Sequence, residues 1–321
     1  MPLNHCGSLS EPGSLSLRID GHCDTVTALK NQKAKHIDLE NIERFVDLQF
    51  FALYIKNESD TDQAVAENNK YYDYYSQLLQ KYKKIKPILT KADLNNIGLG
   101  EVGSLLAIEN SEPLSEDSEA LSRLVAKGYR SFGITWSNDN SLAGGANTDT
   151  GLKKLGKDVL KAMNHCPVVV DLAHMNRQSF FDSLDILEKS PAVTHSCCYS
   201  LCHHKRNLAD DALKSLTEAD GILGITLVRS FLQDDNLATL DRVIDHIIYA
   251  ANIMGLDKVA LGSDFDGTDL PLDIQNQADL DNLWQLMKSR SFTDQEIALV
   301  RGGNWQRFLA KTLGDGADYE I

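Results

Sequence analysis

The chain has 321 residues, 42% of them hydrophobic, and a formal net charge of −14. That length accommodates one large α/β domain or two ordinary ones. The acidic balance argues against nucleic acid or an anionic membrane as a partner, and no apolar run is long enough to span a bilayer.

In chain order, Ser14 to Asp20 alternates apolar and polar residues and ends in Gly21-His22-Cys23-Asp24, which predicts a strand with His22 and Asp24 at its tip. Val46 to Ile55 reads as a buried strand. Asp60 to Lys83 reads as a helix whose tyrosines, Tyr71, Tyr72, Tyr74 and Tyr75, are packing residues. Ile85 to Leu89 is a short extra strand. Ser104 to Ile108 runs into Glu109, and a carboxylate at the end of a buried strand is costly unless paired or metal-bound. A helix over Ser115 to Lys127 and a strand over Tyr129 to Thr135 follow. A long loop then opens on Trp136, and a helix is predicted over Thr148 to Asn164. Val168-Val-Val leads into Asp171-Leu-Ala-His174, Ser179 to Leu187 is amphipathic, and Pro191-Ala-Val-Thr leads into His195. This is a βαβ unit with a His at the carboxyl end of each strand. Ile222 to Leu227 is another strand and Leu237 to Met254 a long helix. Val259 to Ser263 is a strand emptying into Asp264-Phe-Asp266-Gly267, and two helical segments follow, Leu280 to Met287 and Thr293 to Leu313.

Leaving out the short extra strand, eight strands alternate with helices, which predicts that residues 1–321 form a single (β/α)8 barrel of the TIM type. His22 and Asp24, Glu109, His174, His195 and Asp264 then stand at the ends of the first, third, fifth, sixth and eighth of those strands. That mouth is where barrels of this kind place their chemistry. One such histidine alone reads as a satisfied structural residue, but six groups converging on one mouth do not. Three imidazoles and three carboxylates exceed what one metal needs. Borderline ions such as Zn2+ accept both ligand types, and a carboxylate can bridge two ions about 3.5–4 Å apart. Glu109, between the first strand and the two later histidines, is the natural bridge. A second cluster of Cys197, Cys198 and Cys202 with His203 and His204 is conceivable, although adjacent cysteines suit tetrahedral ligation poorly. The six cysteines show no paired framework, and residues 1–13 lack the basic start and apolar core of a secretory signal. A reduced, cytoplasmic protein is therefore expected.

Asp20-Gly-His-Cys-Asp24, Ala107-Ile-Glu109, Asp171-Leu-Ala-His174, Thr194-His-Ser196, Lys205-Arg-Asn207 and Gly262-Ser-Asp-Phe-Asp-Gly267 resemble, in order, the motif series of the membrane (renal) dipeptidase family of zinc peptidases. Gly302-Gly-Asn304 matches as well. The resemblance implies a (β/α)8 barrel with two Zn2+ per chain, one held by His22 and Asp24, the other by His174 and His195, with Glu109 bridging. It also implies that Arg206 binds the substrate carboxylate, that Asp264 handles the proton, and that a homodimer forms. Two departures stand out. Cys23 replaces the family's usual Asn. Thr135-Trp136-Ser137 replaces a Thr-His-Asn whose His helps to bind and polarise the substrate carbonyl, and indole offers one N–H and no charge at neutral pH. Trp136 is therefore expected to line the pocket as a wall.

The expected activity is metal-dependent hydrolysis of dipeptides, with a D-residue tolerated at the C-terminal position. A hydroxide between two zinc ions would attack the carbonyl, and Asp264 would act as base and then acid. One alternative is a hydrolase of another small amide such as a β-lactam or an N-acyl amino acid. Another is a catalytically impaired binding homologue.

Overall fold

The computed structural model describes residues 16–56 and 60–315. Nine strands form one parallel sheet: β1 (Ile19–Cys23), β2 (Leu48–Tyr54), β3 (Ile85–Pro87), β4 (Val102–Glu109), β5 (Tyr129–Gly133), β6 (Val169–Asp171), β7 (Ala192–Ser196), β8 (Ile222–Ile225) and β9 (Val259–Leu261). Their order is β1-β2-β4-β5-β6-β7-β8-β9, with the short β3 paired to β4 off that path. Just past the strand ends, Cys23 bridges Phe265 in parallel and Asp24 N donates to Phe265 O at 2.9 Å. The eight-stranded barrel is thus nearly closed, with helices in most of the crossovers, as the alternation predicts.

Strand residues alternate between two cores, which is what the period of two requires. Ile19, Leu48, Phe50, Leu105, Val169, Ala192, Ile222 and Ala260 share one buried cluster with Trp305. Val170, Val193, Leu223, Val259 and Leu261 belong to the other, packed with the helices. Each fully buried Leu, Ile or Phe contributes about 1.5–3 kcal/mol, so strands of three to eight residues suffice because both faces are covered. The helix Asn304–Thr312 closes the end of the barrel where the strands begin. Asn304 Nδ2 donates to Val259 O at 2.7 Å, and a Cβ on Gly302 would lie 1.9 Å from Leu17 O. Trp305 rises from that helix, donates its indole N–H to Leu261 O at 2.8 Å, and occupies the space a side chain at position 21 would need. This explains Gly21 and Gly302-Gly-Asn304, and it leaves only the opposite mouth open for chemistry.

Several element boundaries differ from the sequence reading. The first strand begins at Ile19 rather than Ser14, which lies outside the described residues. The helix expected over Ser115 to Lys127 starts at Ala120, because the Ser115 hydroxyl donates to Glu112 O at 2.7 Å and ends a short 3-10 turn. The helix expected from Thr148 starts at Lys154. Residues 136–153 form a loop because side chains elsewhere satisfy its backbone: Asn176 Nδ2 donates to Thr148 O at 2.8 Å and Thr150 O at 2.6 Å. The last helix is broken by a π turn over Leu299–Gly303. No described helix is long and apolar enough to cross a membrane. The tyrosines pack: Tyr75 Oη lies 2.7 Å from Ser104 Oγ, and Tyr72 stacks on Tyr129.

Candidate metal centre and active site

All six strand-end groups reach one mouth. His22 lies in β1, Glu109 ends β4 and His195 lies in β7, whereas Asp24, His174 and Asp264 sit one to three residues past their strands. The last two need special backbone. His174 has φ 69°, Asp264 φ 63° and Asp266 φ 67°, and Asn110, just after Glu109, has φ 71°. Asp, Asn and His adopt this left-handed conformation more readily than other non-glycine residues, and these four cluster at the mouth of the barrel.

Glu109 lies between two ligand groups. Its Oε1 is 2.7 Å from His174 Nε2 and 3.7 Å from His195 Nε2, while its Oε2 is 3.8 Å from His22 Nε2. Glu109, His174 and His195 offer donor atoms within 4.8 Å of one another, and so do His22, Asp24 and Asp264. His174 Nε2 and His195 Nε2 are 2.8 Å apart. His22 Nε2, Asp24 Oδ1 and Glu109 Oε2 are buried with no hydrogen-bond partner. Lone pairs aimed at one another at such spacing are stable only around cations or shared protons, so these residues fit divalent metal.

The groups behind the site fix its tautomers. Asp171 accepts from Thr194 N and Ala173 N, each at 3.0 Å, and from Thr194 Oγ1 at 2.6 Å. The Thr194 hydroxyl gives its only proton to Asp171, so at 2.9 Å it must accept from His195 Nδ1. The lone pair of His195 is then on Nε2, facing Glu109, the arrangement that orients metal-binding histidines. Ser137 Oγ lies 3.0 Å from His174 Nδ1. Asp20 accepts from Ser263 N, Ser263 Oγ and Gln49 Nε2, which ties β1 to the loop after β9. Asp266 receives the backbone N–H groups of Lys35 and His36 and the Thr25 hydroxyl, all at 2.8 Å. A Cβ on Gly267 would lie 2.1 Å from Asp24 Oδ2 and 2.3 Å from Asp264 Oδ1, so only glycine lets the backbone pass beneath both carboxylates.

Burial sets the protonation of the site. It pushes the His22 imidazole down to about 3, helped by the Arg206 charge, and holds His174 and His195 well below the usual range. All three are neutral donors. Burial lifts Asp24 to about 7. Glu109 is raised well above the carboxylate range by burial and then by Asp24 and Asp264, and Asp264 is raised by burial and then by Asp24. Burial thus favours the protonated form of each carboxyl, and a divalent ion would displace those protons.

Arg206 is 6% exposed. Its Nη2 donates to His195 O at 3.2 Å and its Nε has no partner. Among the described residues no carboxylate pairs with it within 4.0 Å. The two acidic residues nearby in sequence are engaged elsewhere: Asp211 with Arg177, and Asp210 with Ser200 and Tyr249. Lys205 is exposed. Trp136 is half-buried; its ring stacks on His174 with centroids 5.6 Å apart and meets Tyr54 edge-on at 5.4 Å.

The cysteine cluster does not form a metal site. Cys197 and Cys198 donate to different carbonyls, Thr226 O and His246 O, and Cys202 donates to Ser230 O. His203 faces Asp234 while His204 stacks on Phe231. The thiols therefore diverge, and among the described residues no metal-compatible group contains a cysteine. Cys6 lies outside the described residues, and the five described cysteines are free and buried.

A family model described as membrane dipeptidase (peptidase family M19) matches residues 14–314. A Klebsiella pneumoniae protein, described as uncharacterized and encoded in the pqqA 5′ region, is 30% identical over 239 residues, covering 70% of this chain and 88% of its own length. Dipeptidase tcpJ of Claviceps purpurea is 27% identical over 295 residues, covering 86% of this chain and 69% of its own. The crystal structure of a metallo peptidase from Rhodobacter sphaeroides, liganded with a phosphinate mimic of the dipeptide L-Ala-D-Ala, matches with a TM-score of 0.87 at 22% identity. It covers 93% of this chain and 100% of that one. The crystal structure of the dipeptidase AC, a metallo peptidase of family M19, gives 0.88 at 23% identity, covering 94% and 100%. At those identities the structural likeness shows the fold, while the sequence match across nearly the whole chain shows the family. The chain belongs to the membrane dipeptidase family of metallo-dipeptidases, peptidase family M19.

Proposed function

We propose that this chain hydrolyses dipeptides with two zinc ions, one held by His22 and Asp24, the other by His174 and His195, with Glu109 bridging. Bound there, such ions activate a water at neutral pH and polarise the scissile carbonyl. Asp264, whose Oδ1 lies 4.0 Å from His22 Nε2, takes the proton of the attacking water and returns it to the leaving amine. Arg206 separates a dipeptidase from a general protease: a buried guanidinium with an unpaired N–H beside the centre is a fork for a terminal carboxylate. That grip leaves room for one residue beyond the scissile bond. It reads the carboxylate rather than the side chain, so a C-terminal D-residue is tolerated, in keeping with the L-Ala-D-Ala mimic held by the Rhodobacter sphaeroides relative. A panel of L,L and L,D dipeptides, assayed beside a β-lactam and an N-acyl amino acid, tests this. Turnover of the latter two but of no dipeptide would overturn it.

Trp136 walls the pocket beside His174. Trp136→Ala is expected to change kcat or KM severalfold, and Trp136→His to raise turnover by restoring a carbonyl partner. If the alanine variant matches the parent in both constants, the indole is outside the site.

Metal binding should carry a pH signature. The unfolded chain releases the Asp24 proton near 3.8, the folded metal-free protein only at about 7. Between those values the folded state holds the extra proton, so metal-free stability falls as pH rises. A cation must displace that proton, which costs about 1.4 kcal/mol per pH unit below the folded value. The gap in Tm between metal-loaded and metal-free protein is therefore expected to widen from pH 5 to pH 7.5. A gap that stays constant over that range would contradict the placement of Asp24.

A further inference from the structure

Next to the centre, the helix Arg177–Leu184 after β6 and the helix Asp210–Glu218 after β7 diverge over a cavity of about 290 Å3. Met175, Phe180, Phe181, Leu208 and Ala212 give it a mostly carbon surface, and His174 and Arg206 belong to its wall. The cavity therefore shares a candidate zinc ligand and the candidate carboxylate anchor with the active site. Its rim is strapped: Arg177 also lines it, reaches from the first turn of one helix to Asp211 in the first turn of the other, and pairs with it through both guanidinium nitrogens. The Arg177 guanidinium also lies over the Phe181 ring, 4.7 Å from its centroid. A structural packing gap would need no cation in its wall, yet this one has a buried arginine whose Nε is unpaired.

We propose that this cavity is the specificity pocket for the side chain of the substrate's C-terminal residue, and that it takes a single apolar side chain. The proposal rests on the dipeptidase reading above. Carboxylate and side chain branch from one Cα, so a residue whose carboxylate sits on Arg206 starts its side chain two bonds from the carboxyl carbon that the guanidinium holds. The volume is at the lower limit of the roughly 300–1,000 Å3 of ligand pockets, ample for one side chain. The mostly carbon lining favours an apolar C-terminal side chain, and Arg177, Lys205 and Arg206 in the wall weigh further against a cationic one. The two hands of a C-terminal residue send their side chains in different directions from a fixed carboxylate, so one hand uses the cavity better than the other.

The test compares kcat/KM for alanyl dipeptides ending in glycine, leucine of either hand, phenylalanine and tryptophan. For the favoured hand, the leucine-to-glycine ratio is expected to exceed about tenfold, the scale of methylene discrimination in a hydrophobic pocket. Ala212→Leu, which fills the cavity, should lower that ratio at least tenfold. Phe181→Ala, which enlarges it, should raise the tryptophan-to-leucine ratio, and it decides the matter alone if the first variant fails to fold. Ratios within twofold of wild type in both variants would overturn the proposal. If wild type cleaves no dipeptide, the proposed function falls. Calorimetric titration with free leucine and glycine then judges the cavity: leucine binding that exceeds glycine binding and is lost in Ala212→Leu upholds it, and equal binding of both by wild type overturns it.

Discussion

Arg206→Ala is expected to cut kcat/KM for a free-acid dipeptide by roughly 30-fold to several-thousand-fold, the equivalent of the about 2–5 kcal/mol typical of losing a buried charge-assisted contact. The comparison that isolates the cause is a dipeptide against its C-terminal amide. Wild type should strongly prefer the free acid, because only a carboxylate fills the guanidinium fork and relieves the unpaired Nε. The variant should lose most of that preference. Burial already depresses the Arg206 guanidinium to about 10, so the charge stands ready at neutral pH, and among the described residues no carboxylate pairs with it. Equal cleavage of acid and amide by wild type would remove Arg206 as the anchor, and with it the physical reason for single-residue release.

Asp264→Asn is expected to lower kcat by about 10²–10⁴, the usual contribution of a positioned general base and acid, with KM little changed. An amide has the shape of the carboxyl but cannot accept a proton. Asp264 Oδ1 stands 4.0 Å from His22 Nε2, within reach of the metal cluster. Its left-handed backbone and the glycine at 267 aim it there. Metal content read on the same sample separates two roles. Unchanged metal with lost kcat marks a proton carrier. Loss of an ion would make Asp264 a ligand, since its oxygen also lies in the group with His22 and Asp24.

The barrel and the six converging groups were legible because strands buried on both faces read as apolar runs, and a polar residue ending such a run is conspicuous. Glu109 after Leu105-Leu-Ala-Ile and His195 after Ala192-Val-Thr are of this kind. The supporting groups were not legible for the opposite reason. Asp20 and Ser263 are 243 residues apart, and nothing in either neighbourhood announces the other. Asp171 and Asp20 did carry a signal, since each is an acidic residue inside a strand, two or three positions before a site histidine. Helix starts failed where tertiary contacts override local propensity, as at Thr148, whose carbonyl is taken by Asn176. The cysteine cluster was discounted in the sequence because adjacent cysteines suit tetrahedral ligation poorly, and its thiols do point to different carbonyls. The cavity beside Arg206 is formed by two helices of separate crossovers and could only be seen once they were packed.

Elemental analysis of active protein, with dipeptide turnover followed through chelation and zinc restoration, bears most directly on the binuclear dipeptidase. Two divalent ions per chain, chiefly zinc, are expected, with turnover lost on chelation and restored by zinc. Active protein carrying at most one ion per chain, or turnover indifferent to chelation, would contradict the two-metal site built on His22, Asp24, Glu109, His174 and His195.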